Sequence, residues 1–253
     1  MQSGSSVRLH RRKRFLDGAP WSVLSPRPSD LSRYATVRVD GRWQLDCDLA
    51  SLDDLAHMVW ATAFQNQTRT MILFDRPSLL PPVADEPESI PFVLVPAELD
   101  EPTAAVLEAL RSELPQTRPS EGTVRLRTAG LDRALTAPGA FVAKEAATED
   151  AKAWDANEWN EWVGEVSGVL RIMAPAPVLR AYALAAAEIG SLAWGSADGE
   201  EPSTLAHEFV CFDRSIVRRS EALRAYRESE FPGRTHADLS AADRQKLWDF
   251  TQR

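Results

Sequence analysis

Aspartate side chains are the groups in this sequence with the clearest potential for chemistry. Asp46 and Asp48 stand two positions apart at the end of a strand-like segment, and Asp75 directly follows the apolar run at residues 71–74. Because alternate residues of a strand share one face, Asp46 and Asp48 can hold a hard cation such as Mg²⁺ together. Asp75 adds a third ligand if the two strands are neighbours. One interpretation is therefore a metal-dependent phosphoester hydrolase; the other is a set of solvated acids that end a strand and cap a helix.

The spacing of Asp46 and Asp48 superficially resembles the Asp-x-Asp opening of haloacid-dehalogenase-like phosphatases, in which the first aspartate is a nucleophile. The surrounding residues differ from that family. The strand before Asp46 is polar where the family's strand is apolar, Ala50 stands where threonine or valine is typical, and no later lysine or paired-aspartate strand is evident. The sequence also lacks the glycine-rich loop ending in Lys-Ser or Lys-Thr that cradles nucleotide phosphates. We therefore assign no family and expect no cofactor.

Histidine and cysteine are too sparse here for a rich metal site or a disulfide framework, with four histidines and two cysteines in the whole sequence. His57 falls inside a predicted helix, where we interpret it as a half-buried structural residue. His207 and Cys211 lie close in sequence, but spacing alone does not make a thiol–imidazole pair. These counts favour the reducing cytoplasm and give no convergent catalytic set.

The segment around Trp154 is the most unusual stretch of the chain. Trp154 falls off the neighbouring apolar stripe and lies among Glu158, Glu161 and Glu165. An exposed tryptophan on an acidic face suits an arginine or lysine of a partner through cation–π contact. The alternative is that Trp154 packs against the N-terminal half of the chain.

A basic run at residues 8–14 is the other predicted interaction element, through Arg11, Arg12 and Arg14. We expect it either to bind a partner or to dock on the chain's own acidic face. The whole chain has a net charge of −8, and residues 1–14 carry five basic side chains and no acid, so the remainder carries −13. Such a body repels nucleic acid, which is therefore not the expected partner.

Membrane insertion and export are not expected from the sequence. The longest nearly uncharged stretch, residues 172–187, is shorter than the roughly 20 residues that a membrane span needs. No apolar signal-peptide segment follows the basic run. The predominance of arginine over lysine in an alanine-rich background is typical of a GC-rich genome, so we expect a protein of the bacterial cytoplasm.

Strand alternation dominates the first part of the sequence after residue 35. A hairpin is predicted at residues 36–47, and Ser51 is the expected N-cap of a helix that ends near residue 65. Further expected elements are listed here in chain order: strands at residues 70–74 and 90–95, a helix at 102–114, and strands at 123–127 and 141–143.

Helical periodicity takes over after about residue 144. The apolar stripe from Trp159 to Met173 predicts one helix, residues 178–194 a second that is apolar nearly all round, and residues 214–230 a third after a short strand at 208–212. Ser240 and Asp243 are expected to cap a last helix.

The sequence thus predicts an α+β protein in which a mixed sheet with about two helices precedes a C-terminal helical, bundle-like half. We expect an arm at residues 1–34, an α+β half at residues 35–145 and a helical half at residues 146–253. The expected function is that of a non-enzymatic interaction or accessory protein that acts through its surface on another protein. The alternative function is the metal-dependent hydrolase built on Asp46, Asp48 and Asp75.

Overall fold

A computed structural model gives the structure of the chain. It describes residues 6–27, 34–39, 42–47, 49–75, 79, 89–114, 120–146, 163–195 and 210–212, with short stretches between 225 and 246. The strands are β1 (Ser6–Leu16), β2 (Ala19–Pro26), β3 (Tyr34–Val39), β4 (Arg42–Cys47), β5 (Thr70–Phe74), β6 (Phe92–Pro96), β7 (Gly122–Arg127), β8 (Val163–Val166), β9 (Val169–Ala174) and β10 (Val210–Phe212). The helices are α1 (Leu49–Ala63), α2 (Ala104–Glu113), α3 (Leu131–Ala134), α4 (Pro138–Ala146) and α5 (Ala176–Gly195).

Seven of these strands form one mixed sheet in the order β7-β1-β2-β5-β6-β9-β8. Neighbouring strands run antiparallel except for β2 with β5 and β6 with β9, which are parallel. The second sheet has the order β10-β4-β3. The expected α+β class is therefore confirmed.

A hairpin–helix–strand unit occurs twice and links the two sheets. In the first unit the hairpin β3-β4 lies in the three-stranded sheet, and the chain passes through α1 to β5 in the large sheet. In the second unit the hairpin β8-β9 lies in the large sheet, and the chain passes through α5 to β10 in the small one. Each helix is thus a crossover between the sheets.

Both faces of the large sheet are buried at its centre. On one face α1, α5 and residues of β4 pack over Ile72, Phe92 and Leu94, among others. On the other face α2 packs through Val106, Leu107 and Leu110. Strands β5 and β6 are buried at every position, because helices cover them on both sides.

Several sequence predictions are confirmed. The hairpin β3-β4, the strands β5 and β7 and the helix α2 lie close to the predicted positions, and Thr103 is the N-cap of α2. Helix α1 begins at Leu49, earlier than the N-cap predicted at Ser51. The nearly all-apolar helix α5 is present, and Leu184 on it is fully buried.

The expectation of an arm at residues 1–34 is wrong for residues 6–26. These residues form β1 and β2, a hairpin inside the large sheet whose turn has positive φ angles at Asp17 and Gly18. The basic run reads as polar in sequence, yet its residues alternate between more and less buried positions, and Leu9 and Leu16 are fully buried. Long arginine stems cover the strand, so its apolar content is lower than a buried strand usually needs.

The helix predicted from the apolar stripe between Trp159 and Met173 is also wrong for residues 163–173. Residues 163–174 form β8 and β9, which extend the same sheet that contains β1, so the sheet crosses the predicted boundary between residues 145 and 146. The apolar residues of this stretch recur at helical spacing, but Ser167 and Gly168 adopt positive φ angles and close a tight hairpin. Residues 141–143, a predicted strand, belong to α4.

The predicted helical C-terminal half is not confirmed. Most of residues 196–253 lie outside the described residues, and so does most of the predicted helix at 214–230. The expected short strand is present as β10. At Ser240 and Asp243 the predicted cap is confirmed, because each residue's backbone N–H donates to the other's side chain.

Candidate functional site

The alternation of β1 divides its side chains between the two surfaces of the large sheet. Leu9 packs into the core under α1 and α5, whereas Leu16 packs into the core under α2. Since alternate residues share a face, His10, Arg12 and Arg14 lie on the α2 side together with Leu16. Helix α2 covers Leu16. Where α2 does not cover this side of β1, the strand carries polar residues.

Arginine side chains from neighbouring strands gather on the α2 side of the sheet. Arg8 of β1 lies opposite Arg125 of β7, and both are exposed. Alternation places Arg127 on the same surface as Arg125, and it too is exposed. We call this surface the basic face and define it by six residues: Arg8, Arg12, Arg14, Arg27, Arg125 and Arg127.

His10 sits at the middle of the basic face. Its cross-strand neighbours are Ser25 of β2 and Thr123 of β7. Arg12 Nη1 donates to Ser25 Oγ at 2.8 Å, and Arg27 Nη2 donates to Thr123 Oγ1 at 2.8 Å. The His10 imidazole is thus flanked by the guanidinium groups of Arg12 and Arg27. One of these groups is bound by a side chain of β2, and the other by a side chain of β7.

The surroundings of His10 disfavour its charged form. Burial of the ring lowers the pKa of His10 first, and the positive charges of Arg12 and Arg27 lower it further. Among the described residues, the buried Nδ1 atom of His10 has no hydrogen-bond partner. The His10 ring is therefore neutral near pH 7, and an anion bound beside it would favour the charged form.

Asp75 borders the basic face at the end of β5. Met71 and Leu73 pack on the α2 side, so alternation places Asp75 on that side too. Continuing the parallel register of β2 and β5 puts Asp75 beside Arg27. Burial raises the pKa of Asp75, and the charge of Arg12 opposes this effect without cancelling it.

Other acids near the basic face are bound to particular partners. Glu113 of α2 forms an ion pair with Arg14, with Nε and Oε2 separated by 2.9 Å. Glu121 accepts the backbone N–H of Lys13 at 3.1 Å. Within the described part of the chain, by contrast, no ion pair involves Arg8, Arg125 or Arg127. The outer part of the basic face therefore carries uncompensated positive charge.

The predicted aspartate cluster is only partly described. Asp46 is buried in β4 of the small sheet, whereas Asp75 follows β5 of the large sheet, and Asp48 lies outside the described residues. In the described ranges, no group of three or more His, Cys, Asp or Glu side chains is arranged to hold a metal ion. No described contact therefore supports the hydrolase alternative.

The predicted partner-binding residues fall into separate groups. Trp154, Glu158 and Glu161 lie outside the described residues. Glu165 is exposed on β8, at the opposite edge of the sheet from β7, and it is in a strand instead of the predicted helix. The basic run divides between the two sides of β1, because Arg12 and Arg14 lie on the basic face, whereas Arg11 is exposed on the other side.

Sequence reasoning missed Arg8, Arg27, Arg125 and Arg127. A signal was present at residues 123–127, where alternation had already placed Arg125 and Arg127 on one face of a predicted strand. What the sequence did not show is that β7 pairs with β1, because the two strands are distant in the chain.

A catalytic arrangement is not evident on the basic face. No hydrogen bond joins Ser25 to His10 in the described part of the chain, and the Ser25 hydroxyl accepts from Arg12 instead. A nucleophilic serine needs a base within hydrogen-bond reach. His57 is equally structural: its Nδ1 lies 2.8 Å from the carbonyl of Asp53 one helical turn earlier, as predicted for a half-buried helix residue. The arginines are suited to bind an oxyanion such as a carboxylate or phosphate.

Comparisons with protein-family models, with curated proteins and with solved structures found no match to this chain. The geometry of the basic face is thus the basis for a functional proposal. No helix in the described ranges is both long and apolar enough to span a membrane.

Proposed function

We propose that this chain is a non-enzymatic binding protein that recognises an acidic segment of another protein through its basic face. The supporting observation is charge segregation, because a chain with net charge −8 places six arginines on one surface of the large sheet. These arginines lie on β1, on β7 and at the residue that follows β2. A single exposed ion pair contributes only about 0–1 kcal/mol. Binding therefore requires a partner that engages several of these arginines at once.

Two features favour an acidic protein segment over nucleic acid. The negative charge of the rest of the chain repels a long polyanion, but it penalises a short acidic segment less. Single-stranded nucleic acid also needs aromatic side chains on which bases stack. The exposed Phe15 is the nearest candidate, but alternation along β1 places it on the opposite side from His10 and Arg12.

A matched pair of charge-reversal variants tests this proposal. Arg8→Glu with Arg125→Glu removes two cross-strand neighbours from the basic face. Arg11→Glu with Lys13→Glu makes the same charge change on the other side of the same strand. Binding of a rhodamine-labelled peptide of consecutive aspartates is measured by fluorescence anisotropy at low salt, with single-stranded RNA of the same length as the competing probe.

We expect the basic-face variant to weaken peptide binding by about ten-fold or more, because reversal replaces attraction by repulsion at two positions. The control variant should change the affinity by less than about three-fold, since only long-range charge is altered. Equal losses in both variants would contradict a localised face. Tighter binding of RNA than of the peptide would replace the acidic protein segment by nucleic acid as the partner.

A further inference from the structure

We propose that His10, Arg12, Arg27 and Asp75 form a carboxylate-binding subsite within the basic face, and that carboxylate binding at this subsite is coupled to proton uptake. This inference rests on the proposed function, because the carboxylate belongs to the acidic partner. It adds a specific position and a pH dependence that the proposed function does not require.

The geometry of the four residues carries the proposal. Two guanidinium groups flank one imidazole and are fixed by Ser25 and Thr123 at 2.8 Å each. An arginine has five N–H donors in a fork that matches a carboxylate, and among the described residues Thr123 accepts one of those of Arg27. Arg27 is exposed and His10 is half-buried, so the subsite is open to solvent.

The charge of Asp75 competes with an external carboxylate for Arg12. Asp75 interacts electrostatically with Arg12, and extending the parallel register of β2 and β5 beyond Leu24 brings it towards Arg27. When Asp75 is ionised it offsets part of the positive charge of Arg12, and when it is protonated that charge acts more strongly on a ligand. Burial already raises the pKa of Asp75, so protonation of this carboxyl costs less than that of a solvated aspartate.

His10 contributes to the coupling in the same direction. Its pKa is lowered in the free protein, because the ring is buried and both flanking groups are cationic. A bound carboxylate supplies the missing negative charge, favours the imidazolium form and raises that pKa. Binding therefore takes up a proton at His10, at Asp75 or at both, and linkage requires the affinity to rise as the pH falls.

Every charged group that faces the subsite must be considered in this balance. At the subsite, the pKa of His10 is lowered and that of Asp75 is raised. The other charged residues around the subsite are Arg8, Arg12 and Arg14 on β1, Arg27 after β2, Glu113 on α2, Glu121 before β7, and Arg125 and Arg127 on β7. The arginines keep their charge throughout, and we assign the proton uptake to His10 and Asp75 because these two are members of the subsite.

The experiment measures the affinity for the aspartate peptide at several pH values between about 7.5 and 5.5, where the peptide itself stays ionised. We expect the affinity of the unaltered chain to rise by about ten-fold over this interval. Asp75→Asn should bind more tightly than the unaltered chain at the upper pH and show a smaller pH dependence. His10→Gln should show a smaller pH dependence without the gain at the upper pH. Asp132→Asn, an exposed acid on α3, is the control and should match the unaltered chain.

The outcomes separate this inference from the proposed function. A peptide affinity that depends on Arg8 and Arg125 but not on pH would overturn the subsite and leave the basic face intact. Weaker or unchanged binding by Asp75→Asn at the upper pH would overturn the competition that we assign to Asp75. No binding of the peptide at any pH would instead overturn the proposed function. Urea denaturation of each variant confirms that the compared chains are folded.

Discussion

The two halves of the large sheet differ in what covers them. Strands β5, β6 and β9 have α1 and α5 on one face and α2 on the other, and their core residues are fully buried. Only parts of β7, β1 and β2 lie under the first cover, and on the α2 side Arg8, Arg125 and Arg127 are exposed. The α2 side of the sheet is therefore apolar beneath helix α2 and basic where α2 no longer covers it.

This difference shows how the cover of a sheet determines its chemistry. A strand buried on both faces must be apolar at every position, because an unpaired charge in the interior is costly. A strand with one solvated face can carry charges at alternate positions. Strand β7 carries arginine at these positions, whereas β1 also has exposed charges at Arg11 and Lys13 on its opposite face. The basic face then lies where the fold leaves one face of the sheet uncovered.

The largest expected difference between the two regions concerns stability. Leu184→Ala on the covering helix α5 should lower the free energy of unfolding by about 2–5 kcal/mol, because Leu184 is fully buried and its loss leaves a cavity. Arg125→Ala on the basic face should change it by less than about 0.5 kcal/mol. Urea denaturation measures both. A loss below about 1 kcal/mol for Leu184→Ala would show that α5 is peripheral.

The next comparison uses the glycines of two hairpin turns. Gly168 in the β8-β9 turn and Gly18 in the β1-β2 turn have φ angles of +74° and +72°, so an alanine is strained at either position. A Cβ at Gly168 would also lie 2.6 Å from Arg111 Nη1, whereas nothing lies within 4 Å at Gly18. Both substitutions should destabilise the chain by roughly 1–3 kcal/mol, with Gly168→Ala only slightly the more costly, because the guanidinium end of the flexible Arg111 side chain can shift.

A double variant isolates the contact from the backbone strain. In a background with Arg111→Ala, the difference between the two glycine substitutions should disappear, because the obstructing side chain is gone. A persistent difference would mean that the two turns tolerate positive φ unequally. In that case the difference between Gly168→Ala and Gly18→Ala would not arise from the contact with Arg111 of α2.

The attachment of α2 itself is tested at its N-cap. Thr103 accepts a hydrogen bond from the backbone N–H of Val106 at 3.2 Å, so Thr103→Ala should cost about 1 kcal/mol. Thr103→Ser retains the hydroxyl and should restore most of the stability. Thermal or urea denaturation measures the two variants side by side. Equal losses in the two would assign the effect to the methyl group and not to the cap.

The smallest expected effect is a pH-dependent gain in stability at the border of the two regions. Because burial raises the pKa of Asp75 in the folded chain, the contribution of Asp75 to stability is most favourable below the ordinary aspartate pKa of about 3.9 and is lost as the pH rises through the folded value. Asp75→Asn removes the destabilising effect of ionising this buried carboxyl, although it also removes the attraction to Arg12. We expect a slightly more stable protein at pH 7 and no gain in acid, as measured by urea denaturation at both pH values. Destabilisation at pH 7 would show that the attraction to Arg12 outweighs burial.

The basic face could be predicted only in part from the sequence. Alternation at residues 123–127 and the cluster of arginines at residues 8–14 were both visible. The first was interpreted as a strand, and the second as an arm, because Arg11, Arg12 and Arg14 supply no apolar signal. The hairpin at Ser167 and Gly168 was missed because its apolar residues also fit a helix, and the turn alone distinguishes the two.

Local hydrophobic patterns specify elements such as β5, α2 and α5, because neighbouring residues decide whether an apolar run or stripe can be buried. The position of β1 between β7 and β2, which brings Arg8 opposite Arg125 and His10 opposite Thr123, depends instead on long-range packing. Pairing between strands that are distant in the chain depends on the hydrogen-bond register and on which surfaces the helices cover. Neither the register nor the helix cover can be predicted from a local sequence pattern, and both determine which face of β1 remains exposed.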